Sequence, residues 1–412
     1  MEDKIAEKIK SISNQIFPSL VQLRRELHQY PELAFNEFKT SERIAKELRK
    51  LRIDVKGPIA KTGLVGILNI GNPAKGGEEK KGKTLALRAD MDALPVLEQT
   101  NFSYKSKNQG IMHACGHDVH MTCLIGAATI LNRLKEELPG KVKFIFQPSE
   151  EVHPGGAKPM IEAGVLRNPD VSGIFALHCD PAIPIGKIGV REGPTMAQAE
   201  DFDITIIGRG GHGARPHDGV DAIVTASQVI QALQTIVSRK INPLEPVVIS
   251  IGKMEGGYAR NIICDKVVLK GTARTLNKDI AKKIPGLLKE IVSGVTKSAG
   301  ASFELNYYGG YPILINHPQA TNLARRSIAK LFGKNAIFEL RRPMMGGEDF
   351  AYFLQKVPGS FLRLGIRSPK KNAIYPWHHP KFTVDEDAIK IGSAVLAGIA
   401  FDFLSTPGEI NH

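Results

Sequence analysis

Between Met112 and His120, nine residues hold three histidines, a cysteine and an aspartate. Cys115 and His117 are the pair with the clearest chemistry, because thiolate and imidazole are both good donors to zinc-like ions. Alone, such a Cys-x-His reads as a helix start: Gly116 permits a tight turn and Asp118 opens an apolar run. Its weight comes from other polar residues. Asp90 and Asp92 follow an apolar segment at 84–89, Glu150 and Glu151 follow 141–146, His178 follows 173–177, and His378 and His379 come after 361–365 and a long loop. If those segments are strands of an open α/β sheet, the polar residues gather at its carboxyl ends, where such sheets build their sites. Cys, His, Asp and Glu brought together there point to a metal centre. Two ions ~3.5–4 Å apart can share and activate one water. Of two adjacent glutamates, one can bind metal while the other takes the water's proton.

The elements that must position these groups follow from periodicity. Residues 1–52 read as helix, a Pro-Glu break, then helix, with Leu20, Leu23, Leu27 and then Ile44, Leu48, Leu51 at helical spacing. Strands are expected at 64–70 and 84–89, separated by a mobile Gly/Lys/Glu-rich loop at 71–82. A helix at 118–137, a strand at 141–146, a helix at 159–163 and a strand at 173–177 complete an α/β alternation with a largely parallel sheet. Beyond Gly193 the texture changes. The segment 201–207 alternates polar and apolar, like a strand with one wet face. A helix at 220–239, strands at 247–254 and 266–274, a helix at 280–298 and a strand at 302–308 make a compact α+β unit. Helix and strand then resume at 319–332, 350–355, 361–365 and 385–403, ending in a frayed tail at 405–412. The second unit therefore reads as an insertion: 1–193 and 312–412 form one discontinuous α/β domain, and 194–311 form the inserted domain.

Bulk composition narrows the class. The chain has 412 residues, 42% hydrophobic and 24% charged, with a net charge of +13. The basic residues are dispersed, with only short runs such as Lys80-Lys81 and Lys370-Lys371, so they read as a solvated surface and not as a nucleic-acid footprint. The four cysteines, Cys115, Cys123, Cys179 and Cys264, form no CxxC pair, which points to a reducing compartment, the cytoplasm. The charged stretch 2–10 lacks the apolar core of a signal peptide, and no run is expected to reach the ~18 apolar residues of a membrane helix. Gly208 to Gly213 spell GxGxxG between a strand and a helix, the dinucleotide context. No acid lies between Asp221 and Glu245 to hold a ribose, however, so nucleotide binding is not expected.

The segments LRADMDALP (87–95), MHACGHDVHMT (112–122), FQPSEE (146–151), ALHCDP (176–181), GRGGHGARPH (208–217), GGEDFAYF (346–353) and HHPKFTVDED (378–387) run in one order over nearly the whole chain. Together they resemble the M20 metallopeptidase and amidohydrolase family, in its aminoacylase, hippurate hydrolase and auxin-conjugate hydrolase branch. The resemblance implies a zinc-peptidase-like α/β catalytic domain with a mixed, mostly parallel sheet, carrying an inserted α+β lid or dimerisation domain. It implies two divalent metal ions per subunit held by Cys115, His117, Glu151, His178 and His378, with Cys115 bridging where many M20 peptidases use Asp. Aligned on Pro380, the branch's Leu-His-Asn-Pro makes His378 the ligand and puts His379 in the Asn place. Glu150 would be the general base and His212 the oxyanion donor, reached by lid closure or from a partner subunit. Asn261 and Arg274 would contact substrate, the guanidinium suiting a carboxylate, and Gly346 and Gly347 would let the backbone approach it. Asp90 stands where many M20 peptidases have a His ligand; being acidic, it is read with Asp92 as orienting ligand imidazoles. Thiolate and imidazole favour zinc, while the branch also includes manganese, cobalt and nickel enzymes.

The implied activity is hydrolysis of N-acyl-L-amino acids to a carboxylate and a free amino acid, by a cytoplasmic homodimer or homotetramer. Its alternative is an M20-type carboxypeptidase or dipeptidase acting on short peptides with the same residues. A cysteine hydrolase with Cys115 as nucleophile and His117 as base would be insensitive to chelator. A basic nucleic-acid-binding protein with a vestigial metal site would bind with a steep salt slope; it is disfavoured because a complete ligand and base set is present.

Overall fold

The computed structural model describes residues 1–70, 83–138 and 140–406. The loop anticipated at 71–82 and residues 407–412 of the tail lie outside the described residues. The chain divides into two compact units: Met1–Gly193 with Ile315–Arg342 and Asp349–His412, and Pro194–Leu314 with Pro343–Glu348.

In the first unit, α1 (Asp3–Gln29) and α2 (Phe38–Lys50) flank the break at Pro31. Their leucines and isoleucines at helical spacing, among them Ile9, Leu20, Leu23, Leu27, Ile44 and Leu48, are buried. After them come β1 (Asp54–Ile59), β2 (Gly63–Ile70), β3 (Thr84–Asp90), α3 (His117–Arg133), β4 (Gly140–Gln147), the short α4 (Ala157–Glu162), β5 (Gly173–Pro184) and β6 (Ile188–Val190). The chain re-enters this unit with the helix Pro318–Phe332, the strands Ile337–Glu339 and Gly359–Arg367, and the helix Asp387–Ser405. One eight-stranded sheet results, in the order β1, β2, β4, β3, β5, Gly359–Arg367, β6, Ile337–Glu339. Its centre, β4 to β3 to β5 to Gly359–Arg367, is parallel, while β1, β2 and β6 add antiparallel pairs. β3 is buried at every position, so Leu85, Ala86 and Leu87 run without alternation and its charged residues, Arg88 and Asp90, are buried against each other.

α1, α3 and the Asp387–Ser405 helix supply much of the core over this sheet. The first and last helices are tied directly: Ser13 Oγ donates to the Lys390 carbonyl at 2.7 Å, and Arg25 forks onto Glu386 at 2.6 and 2.9 Å. Contrary to expectation, Asp387–Ser405 is long and apolar enough to cross a membrane by length and composition. It is 83% buried within the fold, because a helix in contact with sheet and helices around it needs apolar residues on nearly every side. α1 also reaches the start of α3. Arg24 Nε and His28 Nδ1 both lie 2.8 Å from Asp118 Oδ2, and His28 Nε2 lies 3.4 Å from Glu98 Oε1, all within the buried interior.

The second unit is a four-stranded antiparallel sheet ordered Val247–Gly256, Lys266–Thr275, Gln198–Ile207, Ser302–Tyr311. Phe202, Ile204 and Ile206 alternate inward from its Gln198–Ile207 strand against the helices Ala222–Thr235 and Lys278–Ser298. Both helices start on a side-chain cap: Asp221 accepts from the amides of Ile223 and Val224, and Asn277 from those of Asp279 and Ile280. Residues 343–348, assigned from sequence to the first domain, belong here. The Met344 amide donates to the Thr195 carbonyl at 2.9 Å, and the Ala197 amide lies 3.0 Å from the carbonyls of both Met344 and Gly346. The GxGxxG run does not open a helix. Gly211-His212 forms a two-residue strand against Ile262-Ile263, and the helix begins only at Ala222.

Candidate metal centre

Gly116 is the residue before α3 and adopts φ +95°. A Cβ there would lie 3.0 Å from Cys179 Cβ and 3.1 Å from its Sγ, so both conformation and space require glycine. This turn sets Cys115 just ahead of the helix and His117 in its first turn. His117 Nδ1 donates to the Asp92 carbonyl at 2.8 Å, leaving Nε2 as the free ring atom. β4 ends nearby in Pro148-Ser149, with Ser149 at φ +50° and its amide held by Glu37 Oε1 at 2.9 Å. The next two amides, Glu150 and Glu151, each donate to one oxygen of the Asp92 carboxylate at 2.9 Å. Asp92 thus orients His117 through its backbone and both glutamates through its side chain.

His178 was expected just beyond a strand ending at residue 177, yet β5 runs on to Pro184. The strand continues because its pairing with Gly359–Arg367 persists past this point, while its pairing with β3 stops at Arg88 opposite Ala176. His178 therefore stands where β5 has left its pairing with β3. Its Nδ1 donates to the Cys179 carbonyl at 2.8 Å and its Nε2 lies 3.4 Å from Cys115 Sγ. Of the tandem histidines, His378 adopts φ +63°, and its amide donates to the Ala114 carbonyl at 2.8 Å. Its Nε2 is 3.3 Å from Glu151 Oε1. His379 instead stacks on Tyr375, and its Nδ1 accepts from the Lys381 amide.

Among the described residues, the expected ligands and base fall together in three groupings, each with donor atoms within 4.8 Å of one another: Cys115, His117 and His178; Cys115, Glu151 and His378; and His117, Glu150 and Glu151. His117 Nε2 and Glu151 Oε1 are buried without a hydrogen-bond partner, 3.8 Å apart. Buried polar atoms are rarely left so. A sulfur, imidazole nitrogens and a carboxylate oxygen facing one another are a donor set for a divalent ion. The 3.4 Å between Cys115 Sγ and His178 Nε2 suits two donors at ~2.3 and ~2.0 Å from one ion. The residues fit a metal.

The carboxylates crowded here make the site strongly negative, so the Cys115 and His117 protons are held in place of a cation. Burial, then the Glu151, Glu150 and Asp90 carboxylates, push the Cys115 thiol well above its ordinary range. Burial opposes a charged His117, but Asp90, Asp92 and Glu151 outweigh it and raise the imidazole to about 10. Burial, with His120 and Arg363 beside it, holds His178 well below its usual value, so its Nε2 keeps a lone pair.

The sequence profile of peptidase family M20/M25/M40 matches residues 86–402. The chain belongs to this family. Among M20 relatives, the Bacillus subtilis N-acetylcysteine deacetylase is 40% identical over 388 residues, 94% of this chain and 97% of that protein. Thermostable carboxypeptidase 1 of Saccharolobus solfataricus is 40% identical over 402 residues, 97% and 99% of the two chains. In three dimensions the chain is similar to the Bacillus subtilis YXEP protein, described as a dinuclear metal binding peptidase from M20 family. The TM-score is 0.81 at 35% identity, over 95% of this chain and 99% of that one.

The remaining residues singled out in this M20 sequence divide between the units. Asp90, read with Asp92 as orienting ligand imidazoles, has no ligand imidazole at hydrogen-bond distance; His117 Nε2 lies 3.8 Å from it. Asp90 Oδ1 holds His120 Nδ1 at 2.6 Å and its Oδ2 accepts from Arg88 at 2.7 Å, because Arg88 and His120 reach it first. His212, Asn261, Arg274, Gly346 and Gly347 all belong to the second unit. His212 Nδ1 accepts from the Ala214 amide at 3.0 Å, so its proton sits on Nε2, and Asn261 is adjacent, its carbonyl accepting from the Gly213 amide. Arg274 donates to the Met345 carbonyl at 3.0 Å, next to Gly346 and Gly347. Sequence reasoning missed Arg88, His120, Glu37 and Asp349. Asp349 accepts from Arg88, from Gln147 and from the Ala157 amide that begins α4. Three of the four lie inside the quoted M20 motifs; Glu37 left no such signal.

Proposed function

We propose that this chain is a metal-dependent amidohydrolase that cleaves N-acyl-L-amino acids to a carboxylate and a free amino acid. The observation that carries the reading is the pair of orphaned buried atoms, His117 Nε2 and Glu151 Oε1, facing Cys115 and His378 beside a second glutamate. Cys115, His117, Glu151, His178 and His378 would hold two divalent ions, with zinc favoured by sulfur and imidazole donors. When bound, such ions polarise the scissile carbonyl and lower the pKa of water. Glu150, fixed through its amide by Asp92, takes the proton of the attacking water on its carboxylate and returns it to the departing amide nitrogen. His212, with its proton on Nε2, donates to the oxyanion. Arg274 and Asn261 hold the substrate carboxylate. The four unpaired thiols suit a reducing compartment, the cytoplasm. A homodimer or homotetramer is expected, and sedimentation velocity would read it.

The carboxypeptidase relative favours one second reading, in which a short peptide replaces the acyl-amino acid at the same residues. Assays of N-acetyl-amino acids, N-benzoyl-amino acids and dipeptides side by side separate the two. Activity is expected to fall on chelation and return with metal. Full turnover in chelator would sink both readings. Glu150→Gln is expected to keep its metal and lose at least ~10² in rate; metal loss instead would mean that the two glutamates have exchanged roles.

A further inference from the structure

Where β5 leaves its pairing with β3, the Cys179 peptide faces a gap left by the lost pairing. Side chains fill it. The Cys179 amide donates to His120 Nε2 at 2.7 Å, and its carbonyl accepts from His178 Nδ1 and from Trp377 Nε1, each at 2.8 Å. Because His120 Nε2 is an acceptor, its proton sits on Nδ1, which faces Asp90 Oδ1 at 2.6 Å. Asp90 is in turn fixed by Arg88 at 2.7 Å, and Arg88 by Asp349 at 3.0 Å. His120 also neighbours Asp90 and His117 in a metal-like triad. Its Nε2 is committed to an amide and its Nδ1 to a carboxylate, so neither atom is available to an ion.

We infer that His120 is a positioning residue for His178. Its Nε2 stands in for the carbonyl that β3 would have offered, and so fixes the Cys179 peptide to which His178 is anchored. His178 has two ways to turn about its side-chain bonds, and a fixed Cys179 carbonyl at 2.8 Å, the nearest partner of its Nδ1 (Arg363 Nη1 lies at 3.4 Å), keeps the Nδ1–H turned away from Cys115. The ring centroids of His120 and His178 are 4.6 Å apart, so the two imidazoles also limit each other's rotation. The consequence for metal affinity rests on the metal reading proposed above; the positioning itself does not.

Two near-isosteric variants divide the two hydrogen bonds of His120. In His120→Gln the side-chain oxygen can occupy the Nε2 place and still accept from Cys179. In His120→Asn the amide can occupy the Nδ1 place and still donate to Asp90, but nothing accepts from Cys179. Imidazole ¹⁵N–¹H spectra of the full metal-free protein should show His120 protonated on Nδ1 and His178 with a slowly exchanging Nδ1 proton. That His178 proton should persist in His120→Gln and be lost in His120→Asn. Zinc titration should raise the dissociation constant of His120→Asn by about 10–100-fold, with His120→Gln near wild type. A His120 proton on Nε2 in the wild type, equal behaviour of the two variants, or the reverse order would overturn the inference. If the wild type takes up no zinc while the His178 proton follows the expected order, the metal reading falls and the positioning role stands.

Discussion

Glu150 and Glu151 share a type and a neighbour, yet the fold gives them different surroundings. Glu151 Oε1 faces His117 and His378 with no hydrogen-bond partner, whereas the Glu150 carboxylate lies by His117 and Glu151 but groups with neither Cys115 nor His378. The same holds for the tandem histidines, which residue type cannot separate. His378 is turned toward Glu151 by a backbone at φ +63°, and His379 is stacked on Tyr375. Cys115→Ala and His378→Ala are therefore each expected to lower metal content, measured by elemental analysis after desalting, while His379→Ala keeps it. Depletion in His379→Ala alone would reverse the pair. At this scale the sequence was legible wherever a residue's type is its chemistry, as for Cys115 and His117. It was not legible where the partner is backbone. Nothing in the letters says that His120 serves the amide of Cys179, or that Asp92 holds His117 through a carbonyl.

The turn that opens α3 presents Cys115 just ahead of the helix and His117 at its start, and α1 holds that turn from behind. His28 faces a carboxylate at each ring nitrogen, Asp118 and Glu98, with the Arg24 guanidinium beside it; Tyr104 and His113 complete its surroundings. Burial and Arg24 oppose its charge, but Asp118 and Glu98 prevail and raise its pKa above the usual value. A raised native pKa means that the folded state binds the proton more tightly than the unfolded chain. The bridge's contribution is complete below pH ~6.5 and is lost as pH climbs through the raised native value. Urea midpoints at pH ~6 and ~9 should show His28→Gln costing about 3–5 kcal/mol at the lower pH and less at the higher. A cost independent of pH would mean that His28 is not charged in the fold. Gly116→Ala should destabilise the turn by at least ~1 kcal/mol, since it forces both a left-handed residue and a clash with Cys179; a circular dichroism melt that matches wild type would contradict this. Periodicity made α1, α3 and the central strands readable. β1 and β6 were not, because β1 is half-exposed and mixed in character and β6 is only 3 residues long. The true end of β5 was hidden for a different reason: a strand stops where its neighbours stop offering partners, and those neighbours are distant in sequence.

For the molecule as a whole, the change of texture at Gly193 marked the second unit, since a half-wet antiparallel sheet alternates where a buried parallel one does not. The short return at 343–348 could not be seen, because its membership rests on backbone bonds to Thr195 and Ala197. His212→Ala is expected to lower turnover by about 10²–10³ while metal content stays unchanged. Mixing inactive Glu150→Gln protein with inactive His212→Ala protein would restore activity if the histidine works on a partner's site, and restore nothing if it works on its own. Full activity in His212→Ala alone would remove it from the reaction. The embrace of the first and last helices has a consequence in time. A ribosome adding ~5–20 residues each second leaves α1 waiting on the order of 20–80 s for the helix whose Lys390 and Glu386 it binds. Through that interval most of the sheet has emerged with one layer missing, while the nearly contiguous second unit can already close. The metal-binding unit is begun first and finished last, so newly made chains should carry a protease-resistant second unit before they can retain any metal ion.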